Sequence, residues 1–163
     1  MATLMSLQDL FVEEIKDLYN AEKQIEKALP KMAKTATSPD LQQAFTTHLE
    51  QTRRQIERLE QIGKSLGISI SGKKCKGIEG IIEEGKEILA MKGDDMTRDA
   101  GLIGAAQRVE HYEIAGYGCA RTYARLLGHR DAERLLDETL REEEATDRKL
   151  TNIAETHINA AAR

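Results

Sequence analysis

The chain has 163 residues, with 24 Lys and Arg against 28 Asp and Glu, for a formal net charge of −4 at pH 7. That length suits a single domain, residues 1–163, with a substantial core. Two prolines and 4% aromatics, in a chain rich in Ala, Leu, Glu, Lys and Arg, favour helices over strands, because these residues lose little rotamer freedom in a helix. Both signs of charge are interspersed, and the one basic cluster, Lys73-Lys74-Cys75-Lys76, is too short and aromatic-poor to argue for nucleic acid. No apolar run nears the roughly 20 residues that cross a bilayer. The start of the chain lacks a basic region followed by an apolar segment, and Cys75 and Cys119 lack a C-x-x-C spacing. A soluble cytoplasmic protein with reduced thiols and no membrane association is therefore expected.

Ser6 followed by Asp9 reads as a capping box opening a first helix over about 7–34. Its apolar stripe runs Phe11, Ile15, Leu18, Ile25 and Leu29, interrupted by Glu22. Ser38-Pro39-Asp40 supplies an N-cap, a helix-start proline and an acidic first turn for a second helix over about 39–66. Its stripe, Leu41, Phe45, Thr52, Ile56 and Leu59, includes His48. After Gly67 and a loop rich in Gly, Ser and Lys, apolar residues from Ile78 to Leu89 at helical spacing predict a shorter crossover helix ended by Gly93. A third long helix is predicted from about Thr97 to Gly128, and a fourth from about Asp131 to His157 with a frayed Ala-rich tail. Two helical hairpins joined by a long connection are the layout of a four-helix bundle with one crossover, the ferritin-like topology.

The stripes of the last two long helices carry acids where the core should be. Positions three and four apart share a helix face, so Glu110 with Glu113, and Glu143 with Asp147, each aim two carboxylates at neighbours such as Leu102, Ala106, Tyr117, Leu140 and Leu150. With a tight turn near Gly128-His129, Glu113 matches Glu143 in height and Glu110 matches Asp147, so the four should meet at one level. Glu22 and His48 match about the turn near residues 34–37 to within roughly one helical turn of 5.4 Å. Lys and Arg are absent from the centre of every stripe, with Arg121 nearest at a margin. Unpaired buried carboxylates cost several kcal/mol each and repel one another, so a metal or shared protons must balance them. Oxygen-rich coordination suits Fe or Mn. Glu22, His48, Glu110, Glu113, Glu143 and Asp147 are the candidate ligands, with His48 as either a direct ligand or a hydrogen-bonded neighbour of one. Tyr117, one turn from Glu113, reads as a core aromatic or as a hydrogen-bond donor to a ligand.

The strings Tyr19-Asn20-Ala21-Glu22-Lys23-Gln24, His48-Leu49-Glu50, Val109-Glu110-His111-Tyr112-Glu113 and Glu142-Glu143-Glu144-Ala145-Thr146-Asp147 resemble those of the bacterial YciF/YciE-type stress proteins of the ferritin-like superfamily. The resemblance covers nearly the whole chain. It implies a ferritin-like bundle, a homodimer and an association with stress responses, without implying a reaction. Di-iron members of that superfamily carry Glu on two helices and Glu-x-x-His on the other two. Matching by order would select Glu50-x-x-Arg53 and Glu144-x-x-Asp147, which lack both histidines, and Arg cannot ligate a metal. The helical wheel turns Glu50 away from the core and leaves Glu144 at its margin, so His48 and Glu143 are preferred. Two functions stand at this point. One is a dinuclear Fe or Mn site handling peroxide, oxygen or Fe(II); the other is a non-enzymatic stress or interaction module whose metal site is vestigial.

Overall fold

A computed structural model describes residues 4–162. Five helices follow one another: α1 (Leu7–Thr35), α2 (Pro39–Leu66), α3 (Lys76–Ala90), α4 (Asp95–Leu126) and α5 (Arg130–Ile153), with no strand among the described residues. Helices α1, α2, α4 and α5 form the bundle. α1 packs on α2 and α4, and α5 packs on α4 and α2, so α2 and α4 face each other across one diagonal and α1 and α5 across the other. The crossover helix α3 lies outside the four, against α4 and α1.

Local sequence explains most of the boundaries. Ser6 Oγ accepts from Asp9 N at 3.1 Å, while the Asp9 carboxylate accepts from Met5 N at 3.0 Å, a capping box displaced by one residue at its return arm. Pro39 occupies the first turn of α2, where its missing N–H costs nothing. The Ser38 side chain, however, makes no cap bond. Asp99 of α4 instead anchors the chain just ahead of α2: fully buried, it accepts from Ser38 N at 2.7 Å, from Thr37 N at 3.0 Å and from Thr37 Oγ1 at 2.9 Å. α4 begins two residues before the expected Thr97, because Asp94 Oδ2 accepts from Thr97 N at 2.8 Å and acts as N-cap. It ends at Leu126, where Gly128 at φ 76° lets the chain reverse and His129 N donate to Ala124 O at 2.9 Å.

The end of the chain departs from the expected frayed tail. α5 widens into one π-helical turn at Ala154–Ile158 and closes with Asn159–Ala161. Ile158, 1% exposed, returns to the core. Apolar burial, worth roughly 1.5–3 kcal/mol for such a side chain, holds this turn against the bundle.

The core has two apolar halves. One gathers Ile25, Leu29, Leu41, Phe45, Leu102 and Leu150; the other gathers Phe11, Ile15, Leu59, Tyr117, Ala120 and Leu136. On each bundle helix the polar interruption falls between the two halves: Glu22 on α1, His48 and Thr52 on α2, Glu110 and Glu113 on α4, and Glu143 on α5. A polar layer therefore crosses the middle of an otherwise apolar interior.

Candidate metal centre

His48, Glu110, Glu113 and Glu143 each place one ligand-capable atom within 4.8 Å of the others, and all four are buried. They come from α2, α4 and α5. His48 Nε2 stands 3.1 Å from Glu110 Oε1 without hydrogen-bonding alignment. Glu22, from α1, is fully buried beside this group and accepts from the Tyr117 hydroxyl at 2.5 Å.

Asp147 occupies a different position from the one its spacing implies. Its side chain, 22% exposed, lies 3.2 Å from exposed His111 Nε2 and accepts from Gln107 Nε2 at 3.1 Å. It is not among the four gathered residues. The inner line of α5 instead runs through Leu140, Glu143, Thr146 and Leu150. Of the alternatives selected by motif order, Glu50 is exposed and Glu144 half-buried, and Arg53 points away to pair with Glu26 at 3.4 Å.

The electrostatics of the layer follow from burial. Glu22 and Glu110 are both pushed up to about 8, chiefly by loss of water. The neighbouring Glu143 charge adds to the effect on Glu22 and the Glu22 charge to that on Glu110, while the Tyr117 hydroxyl partly offsets the shift of Glu22. Glu113 and Glu143 rise well above the usual carboxylate range, again through burial first; the charges of Glu22, Glu143 and Glu110 then act on Glu113, and that of Glu110 on Glu143. Burial also raises the Tyr117 phenol, so it donates as a neutral hydroxyl.

Glu22 Oε2, Glu110 Oε2, both oxygens of Glu113, both oxygens of Glu143 and both nitrogens of His48 lack hydrogen-bond partners. Such groups are costly to bury unless something satisfies them. A cation does so directly: carboxylate oxygens with one imidazole form a hard, oxygen-rich donor set of the kind that suits Mn or Fe. The residues present therefore fit a metal.

Sequence reasoning did not find the surroundings of this centre. Arg58 donates from Nη1 to Glu142 Oε2 at 2.8 Å and from Nη2 to Glu142 Oε1 at 2.9 Å, and Gln55 Nε2 donates to the same carboxylate at 3.0 Å. This bidentate bond locks α2 to α5 one residue from Glu143. Gln55 lies three residues beyond Thr52 on the buried face of α2, and that spacing was the available signal.

Comparison with known proteins identifies relatives of the chain. Residues 6–163 match the family described as "Domain of unknown function (DUF892)". The chain is 46% identical over 160 residues to Protein YciF of Escherichia coli (strain K12), covering 98% of this chain and 96% of that protein. The crystal structure of the E. coli stress protein YciF superposes with a TM-score of 0.92, covering 96% of this chain and 99% of that one. YcfI of Rhodopseudomonas palustris, also 46% identical, superposes at 0.87 over 90% of this chain and 94% of its own. A Xanthomonas campestris protein at 22% identity shares the fold, with a TM-score of 0.76 over 96% of this chain and 94% of its own. This bundle, with its crossover helix and buried acidic layer, belongs to the DUF892 family.

Proposed function

We infer that the buried layer is a metal centre and that the protein is a stress-associated, ferritin-like metal-binding protein. One observation carries the reading: His48, Glu110, Glu113 and Glu143 converge within 4.8 Å with their buried donor atoms largely unpartnered. The stress association is supported by the 46% identity to a protein whose solved structure is described as a stress protein. Glu113 and Glu143 would hold the metal with His48 and Glu110, and Glu22 stands beside them to complete a dinuclear Fe or Mn site. Such a pair of ions, when bound, supplies redox chemistry toward peroxide, oxygen or Fe(II).

The chain's own contribution is positioning and exclusion of water. Tyr117 fixes one oxygen of Glu22 through its hydroxyl, leaving the other available. His48, buried on α2, would offer an imidazole nitrogen to the metal. The carboxylates with raised pKa must lose their protons as a cation enters, so binding releases protons. The two apolar halves border the layer above and below and leave its side chains almost without solvent exposure, which strengthens every charge interaction within it.

The competing reading is a layer balanced by protons alone, within a non-enzymatic module. It is favoured by Glu22 and Glu110, whose elevation to about 8 lets them stay neutral at physiological pH. Elemental analysis of protein purified without chelators separates the two: stoichiometric Fe or Mn supports the metal centre, and its absence supports the proton-balanced layer. The reading includes a cytoplasmic homodimer with one centre enclosed in each protomer, because a single chain supplies all four bundle helices. Light scattering across micromolar concentrations tests the dimer, and a monomer mass rejects it.

A further inference from the structure

A cavity of about 130 Å³ lies between the crossover helix and the bundle. Ile25 and Leu29 of α1, Ile81 and Ile82 of α3, and Ala105 and Val109 of α4 contribute its walls. The space exists because small residues face each other across the α3–α4 contact: a Cβ added at Gly85 would lie 3.6 Å from the Ala105 Cβ, in ordinary contact. At its inner end the lining is His48 and Glu110, 3% and 1% exposed. Exposed Lys27, Lys31 and Lys86 line its mouth. Both nitrogens of His48 and Oε2 of Glu110 lack hydrogen-bond partners.

We propose that this cavity binds a neutral single-ring phenol, with the ring against the aliphatic walls and the hydroxyl at the His48–Glu110 pair. Size selects the ring, since an apolar cavity of about 150 Å³ accommodates benzene and a long acyl chain would not fit. The inner end selects the hydroxyl. The Glu110 carboxyl offers an acceptor oxygen in either protonation state, an imidazole donates or accepts according to tautomer, and a phenolic O–H can do both in return. Charged ligands are disfavoured at both ends: a ligand carboxylate would have to shed its water at the buried inner end, where no cationic side chain lines the cavity, and an ammonium would have to pass three lysines. A phenol is favoured over an aliphatic alcohol of similar volume because its more acidic O–H is the stronger donor to the unpartnered atoms of His48 and Glu110. The inference uses the same His48–Glu110 pair as the metal reading but needs only the side chains, so the two can fail separately.

The test is calorimetric titration of chelator-treated full-length protein with phenol, benzene, cyclohexanol and benzoate. Methyl NMR of Ile81 and Val109 locates the ligand, and metal uptake is measured on the same preparation. Saturable one-to-one phenol binding that shifts both methyl signals is expected. Benzene should bind about tenfold more weakly, the equivalent of one buried hydrogen bond; cyclohexanol should be weaker than phenol, and benzoate should show no saturable binding. Gly85→Leu and Ala105→Phe, each checked for fold by circular dichroism, should fill the space and abolish phenol binding. No saturable phenol binding to the wild type would overturn the proposal, as would equal affinity for phenol and benzene or undiminished binding by a folded cavity-filled variant. Phenol binding without metal uptake would reject the metal centre alone, and metal uptake without phenol binding would reject this site alone.

Discussion

His48 Nε2 and Glu110 Oε1 approach to 3.1 Å although their helices, α2 and α4, occupy opposite corners of the bundle. Side chains from diagonal helices touch only at the bundle axis, so this pair marks the centre of the molecule. Burial of both is a consequence of that position, and so is the loss of water that raises Glu110.

Acid dependence should reveal the state of the layer. Glu22 and Glu110 have folded-state pKa values of about 8 against the ordinary 4.5, so metal-free folded protein holds more protons than unfolded protein between those values. The stability that this contributes is complete below about 4.5 and is lost as pH rises through 8. Chelator-treated protein should therefore melt at higher temperature as pH falls from 9 toward 5. Further acidification should reverse the trend, because carboxylates such as Asp137, held low by its hydrogen bond from Arg121, must then be protonated. Melting temperatures that climb steadily from pH 5 to pH 9 without metal would contradict a buried carboxylate layer.

Asp99→Ala should cost roughly 2–4 kcal/mol, since it strands buried backbone donors and removes a charged acceptor. The affected donors are Thr37 N and Ser38 N at the start of α2. Urea denaturation measures this directly, and a change below about 0.5 kcal/mol would show that water replaces the carboxylate.

Asp99 also shows where the sequence stops being legible. The stripes of the four long helices, and the presence of Glu22, His48, Glu110, Glu113 and Glu143 on them, follow from a 3.6-residue period alone, and each of these residues is buried. An anchor supplied to the α1–α2 turn by another helix depends on which elements meet in space, and no local pattern encodes that. Even so, Asp99 lies one turn before Leu102, and extending the α4 stripe by three residues would have placed it inside. Asp147 illustrates the reverse error. Its wheel position is inward, like that of Leu140, but at α5 its carboxylate turns sideways to accept from Gln107 and to approach His111, partners on α4 that the spacing within α5 does not reveal.

Docking of the crossover helix rests on Ile78 more than on the residues nearer its middle. Ile78 is fully buried, while Ile81 is only partly covered because it borders the cavity. Ile78→Ala should destabilise by about 2–4 kcal/mol, and Ile81→Ala by clearly less. Equal losses in denaturant melts would mean that α3 is seated differently.

Tyr117→Phe removes the one hydroxyl that donates to Glu22 and leaves a second buried carboxylate oxygen unsatisfied. A loss of about 1–3 kcal/mol is expected for metal-free protein at neutral pH. Because that bond lowers the Glu22 pKa, its removal should also move the Glu22 titration, followed by carboxylate infrared absorption, to higher pH. An unmoved titration would indicate that the two groups are not bonded in solution.

Removal of one acid from the layer has opposite consequences according to whether a cation balances the buried carboxylates. Melting temperature should be measured for wild type and Glu113→Gln, each with Fe(II) or Mn(II) and with chelator, at neutral pH. If metal is held, the ion stabilises the folded state alone: wild type should melt several degrees higher with metal than with chelator, and Glu113→Gln should lose that difference. With chelator present, Glu113→Gln should equal or exceed wild type, because a buried acid that repels its neighbours has become neutral. A wild-type melting temperature indifferent to metal and chelator would contradict the metal centre.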